Sequence, residues 1–115
     1  MRDDRHALAE DATVTPDLRD RLLLAFTELA MYGIAVEEDV RAEPEQARAE
    51  IAALLRMRAP HGLGSYVFRR RADEATVPVP LYTSGPEVDR AVTAACGRHG
   101  LAVRPGPRPG VLLAS

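Results

Sequence analysis

Nine prolines and eight glycines cut this 115-residue chain into short lengths, and their positions decide what can form between them. Proline has no N–H and a fixed φ. It suits the first turn of a helix and is excluded from helix interiors and from complete β-ladders. Thr15-Pro16-Asp17 reads as a helix start, with Thr15 as the cap and Asp17 at the positive end of the dipole. Leu18, Leu22, Ala25, Phe26 and Leu29 then recur at helical spacing, and Gly33 supplies a left-handed stop. The first helix is therefore expected over 16–32. Pro44 opens a second over 44–58, with Ala47, Ile51, Leu54 and Leu55 as its apolar stripe, and Pro60, Gly62 and Gly64 end it. Ser84-Gly85-Pro86-Glu87 opens a third over 86–97, with Val88, Val92 and Ala95 facing inward.

Short apolar runs lie between these helices. Ile34-Ala35-Val36 fits a short strand. Ser65 to Arg71 reads as another, with Tyr66 and Phe68 on one face and Val67, Arg69 and Arg71 on the other. Asp73-Glu74-Ala75 reads as a hairpin tip and 76–82 as the return strand. Pro78 and Pro80 remove N–H groups from one side of that strand, so the expectation is a sheet edge. Residues 101–104 and 111–114 make two more short strands, joined by the turn-rich Pro105–Gly110. Met31–Val36 weakly echoes Arg98–Val103: a helix end, a glycine, then a short apolar strand. Together these elements predict an α+β fold, a small two-layer domain with about three helices on a mainly antiparallel sheet of four or five short strands. Ferredoxin-like and winged-helix-like orders are the candidates. Residues 1–14, mostly charged and alanine, read as a flexible tail, and 15–115 as a single domain.

Composition narrows the class. The longest apolar run, Leu22 to Phe26, is too short to cross a membrane. No secretory leader is visible, and the single cysteine, Cys96, has no partner for an internal disulfide. A soluble, cytoplasmic domain is expected. Of its apolar residues 19 are alanine and only five are aromatic, which makes the expected core thin. A second copy or a protein partner would complete it, so a homo-oligomer is the expectation. All 15 basic residues are arginine, which points to a GC-rich bacterial coding sequence and weakens any argument from arginine alone.

Charge is divided between the halves. Residues 1–50 hold 13 acidic residues against six arginines, and residues 51–115 hold four against nine. Such an asymmetry makes either a basic working surface or two parts of one fold that attract each other. The formal net charge of -2 excludes a globally basic nucleic-acid binder. Arg69-Arg70-Arg71 is the strongest local charge feature. With Tyr82 it forms the candidate partner-binding group, for a protein or, alternatively, for nucleic acid, with Tyr66, Phe68 and Tyr82 available to stack on bases. The same arginines have a plainer role open to them, pairing with Glu37-Glu38-Asp39 or with Asp73 and Glu74.

Chemistry has few places to sit. Cys96 and His99 are three apart, the spacing of one helix face, and are weak catalytic candidates as an activated thiolate. Cys96 is also eight residues after Val88 and four after Val92, which puts it on the buried stripe. His61 is the nearest further ligand type for a metal. His61-Gly62-Leu63-Gly64-Ser65 has a helix before it and a strand after it, the reverse of a dinucleotide-binding loop. No cofactor and no metal are implied. The expected function is that of a small non-enzymatic accessory or regulatory protein acting by protein–protein contact. A nucleic-acid-binding regulator and a small enzyme are the alternatives, the latter built on Cys96 and His99 or on an interface pocket.

Overall fold

The computed structural model describes residues 16–58 and 64–115. The tail expected over 1–14 and the segment His61–Leu63 lie outside them. The elements follow in the order α1 (Pro16–Met31), β1 (Ala35–Val40), α2 (Pro44–Arg58), β2 (Tyr66–Arg70), a 3-10 turn (Arg71–Asp73), β3 (Val79–Thr83), α3 (Pro86–Arg98), β4 (Val103–Pro105) and β5 (Val111–Ala114). Each helix begins on the proline expected to open it. α1 and α3 both end on a glycine with positive φ, Gly33 at +86° and Gly100 at +80°. There the N–H groups of Ile34 and Leu101 donate back to the carbonyls of Leu29 and Cys96. The repeated helix–glycine–strand pattern is this turn used twice.

The class is α+β, with three helices on a five-stranded, mainly antiparallel sheet of order β1-β2-β3-β5-β4. β1 and β2 are parallel and every other pairing is antiparallel. The order is neither ferredoxin-like nor winged-helix-like, because the two strands joined by α2 lie side by side with none between them.

α1 and α3 pack on one face of the sheet. Leu22, Phe26 and Leu29 of α1 and Val92, Ala95 and Cys96 of α3 close over Val67, Leu81 and Ala114. Burying one large side chain of this kind contributes roughly 1.5–3 kcal/mol. α2 lies on the other face, where Ala47, Tyr66 and Phe68 form a second, smaller core. The two layers expected are thus joined by a third. The cause is β2, whose residues Tyr66, Val67, Phe68 and Arg69 are all buried because the strand is covered on both sides.

β3 corrects the sequence reading. It is the central strand, not an edge. The Thr83 N–H donates to Gly110 O on the β5 side (2.8 Å), so by alternation Pro78 and Pro80 turn their missing donors toward β2. The β3–β5 ladder is complete over Val79–Tyr82, while the β2–β3 ladder holds two registered pairs, Val67 with Thr83 and Phe68 with Tyr82. The prolines identify the side with the short ladder. They do not make the strand an edge.

Candidate functional site

Folding distributes the arginine run over different surfaces. β2 alternates, so Arg69 points with Val67 to the α1/α3 face and Arg70 with Phe68 to the α2 face, while Arg71 lies in the 3-10 turn. Each guanidinium meets a carboxylate from the first half of the chain. Arg69 Nη2 is 3.7 Å from Glu38 Oε1, and Arg71 Nη1 is 3.6 Å from Asp39 Oδ2. Arg70 donates to Glu43 Oε2 (3.0 Å) and to the Ala42 carbonyl (3.1 Å). Arg69 is buried, and its Nε and Nη1 have no hydrogen-bond partner. Tyr82 stacks on Phe68 with ring centroids 4.9 Å apart, half-buried under α2. Arg70 and Tyr82 come together on one face, and Arg69 lies on the other.

Cys96 and His99 separate in the same way. Cys96 is fully buried on the inner stripe of α3. Desolvation, with Glu28 nearby, pushes its thiol up to about 11, opposite to what an activated nucleophile needs. His99 turns outward, with Nε2 3.0 Å from Glu28 Oε1. Arg98 donates to the other Glu28 oxygen through Nε (2.7 Å) and Nη2. Its hydrogen bonds hold the Glu28 carboxyl below its ordinary range. The three form a polar clasp between α1 and α3. Among the described residues no three His, Cys, Asp or Glu side chains gather where a metal could be held.

Sequence reasoning missed Arg48. It sits on α2 beside the inward stripe and donates to Tyr66 Oη (3.2 Å), Thr83 O (2.6 Å) and Gly110 O (2.9 Å). One side chain thereby fastens α2 to β2, β3 and the connector before β5. The signal was present, since Arg48, Ile51 and Leu55 share helical spacing, but an arginine on an apolar flank reads as solvated.

One surface stands out. On the outer side of α1, Leu23 and Leu24 are 50% and 54% exposed, and Met31 and Tyr32 are 80% and 66% exposed. Leu24 and Met31 are two turns apart on one side, with Thr27 and Ala30 between. β1, which carries Glu37 and Asp39, is an edge strand of the sheet among the described residues. No helix among the described residues is long and apolar enough to cross a membrane. Comparison of the chain with family models, with curated proteins and with solved structures gives no match.

Proposed function

We propose that the protein is a small cytoplasmic, non-enzymatic accessory or regulatory protein that acts through protein–protein contact and pairs with a second copy of itself. The outer face of α1 supports this reading. Small monomers seldom leave Leu23, Leu24 and Met31 together in water on one helix, and an isologous contact covers the same patch on both copies. The helix face is a better joint than the edge strand β1. Two β1 edges added side by side would set Glu37 and Asp39 against their own copies, and like charges directly opposed are destabilising. The nucleic-acid alternative would have to draw Arg69, Arg70 and Arg71 away from Glu38, Glu43 and Asp39.

Sedimentation of the wild type and of a Leu24→Glu, Met31→Glu variant tests the reading. We expect the wild type to dimerise at micromolar concentration and to remain dimeric at salt that screens surface charge. The variant should be monomeric with an unchanged melting temperature, since both side chains are exposed. A wild type that stays monomeric, or a variant that associates equally well, rules the proposed joint out. Duplex binding with a salt slope of about -0.9 per neutralised phosphate would favour the nucleic-acid alternative instead.

A further inference from the structure

The charge asymmetry of the chain is largely neutralised inside the fold. Of the nine arginines in residues 51–115, Arg69, Arg70, Arg71 and Arg98 each pair with a carboxylate from the first half. Arg56, Arg58, Arg90, Arg104 and Arg108 form no ion pair or side-chain hydrogen bond among the described residues. Two of these five, Arg90 and Arg108, border a single open cleft of about 530 Å³ between α3 and the β4–β5 hairpin with exposed side chains. Arg104 borders it too, but in β4 it alternates with Val103 and turns its side chain to the other face of the sheet. Arg90 and Arg108 are far apart along the chain, and only the fold brings them to one cleft.

The cleft lining has an apolar part that includes exposed Ala94, half-buried Val103 and buried Leu112. Its one carboxylate, Asp89, is engaged by the Thr83 hydroxyl. The wall that carries Arg108 is stiff. Pro105, Pro107 and Pro109 fix alternate φ angles, the Gly106 N–H donates to Val111 O (2.8 Å), and the Val111 N–H donates to Arg108 O (3.2 Å). A volume of this size is typical of small-molecule sites, which combine an apolar lining with a few fixed polar groups. Guanidinium groups select oxyanions, above all where the oxygens can be met by more than one of them.

From this arrangement we propose that the cleft binds a small amphipathic anion, a carboxylate or phosphate monoester carried on an apolar body. The oxyanion meets Arg90 and Arg108 while the body covers Ala94, Val103 and Leu112. The proposal is independent of pairing through α1, which uses another surface.

Titration of the ¹⁵N-labelled full chain with four probes tests it. Phenyl phosphate and 3-phenylpropionate carry both features and distinguish the two anion types. Inorganic phosphate lacks the apolar body, and benzyl alcohol lacks the charge. At least one phenyl anion should shift the amides of Ala94, Val103 and Leu112 and bind about tenfold more tightly than either control. Arg90→Gln and Arg108→Gln should each weaken that binding about tenfold, the scale of one charge-assisted hydrogen bond, without altering the fold. Arg56→Gln with Arg58→Gln, the same loss of charge as those two combined, should leave it in place. The proposal fails if neither phenyl anion shifts these amides, or if inorganic phosphate binds as tightly. It fails equally if the Arg90→Gln, Arg108→Gln double variant retains affinity, or if the Arg56/Arg58 control loses as much.

Discussion

Arg69 shows how little a sequence says about what a charge will face. Its side chain is 10% exposed, two of its nitrogens are unpartnered, and its carboxylate contact is long at 3.7 Å. A buried cation held this loosely gains little net stability, because desolvation offsets the attraction. The two halves of the pair are then unequal under mutation. Arg69→Met removes the desolvated charge and should leave urea stability nearly unchanged or raise it. Glu38→Gln strands the cation and should cost about 1–3 kcal/mol. Equal losses in the two variants would show that the pair is a net stabiliser. The strand parity that sends Arg69 away from Phe68 was legible in the sequence, and so was the burial of Cys96, eight residues beyond Val88. Of the carboxylates that receive the arginines, Glu38 and Asp39 were legible only as candidates and Glu43 not at all, because the parallel pairing of β1 with β2 decides which acids lie alongside.

Among the elements, helix boundaries were the most readable feature. The second helix was expected over 44–58 and forms there, because proline at a helix start acts locally, whereas the strands expected at 34–36 and 76–82 form at Ala35–Val40 and Val79–Thr83. Neighbours were the least readable. Counting missing N–H groups tells which side of β3 is poor in donors, but not whether another strand lies on that side. The clasp between α1 and α3 was invisible for a similar reason, since Glu28 and Arg98 are far apart in sequence. It gives stability a pH dependence. The folded Glu28 carboxyl is held below its ordinary value of 4.5, chiefly by the Arg98 hydrogen bond. A depressed folded pKa adds stability that is fully present above the unfolded value and is lost as pH falls through the folded one. The difference in urea midpoint between wild type and Glu28→Gln should therefore be widest at neutral pH and narrow below about pH 4. A gap that stays constant on acidification would remove Glu28 from this role.

For the molecule as a whole, the two cores are unequal. The α1/α3 side buries most of the large apolar residues, whereas the α2 side rests on Ala47, Tyr66, Phe68 and the bonds of Arg48. Less buried apolar area means a less costly local opening. In native-state hydrogen exchange, amides of α2 should open at lower free energy than those of α1 and α3, and Arg48→Ala should widen the difference. A single opening free energy shared by all three helices would mean that the layers unfold as one unit. This third layer could not be read from the sequence because Arg69 and Arg71 give one face of the strand expected over 65–71 a polar pattern, although Arg69 is buried.

The short ladder between β2 and β3 also divides the chain in order. Everything up to Arg70 builds α1, β1, α2 and β2, and everything from Val79 builds the other strands and α3. The two blocks meet along two registered residue pairs, the Tyr66–Ser84 hydrogen bonds, the bonds of Arg48 to Thr83 and Gly110, the Glu28 clasp, the Phe68–Tyr82 stack and the packing of α1 on α3. A single covalent crossing, residues 71–78, spans that seam. Neither block threads through the other, so the molecule has the layout of a split-protein pair, two complementary fragments that happen to be written as one chain.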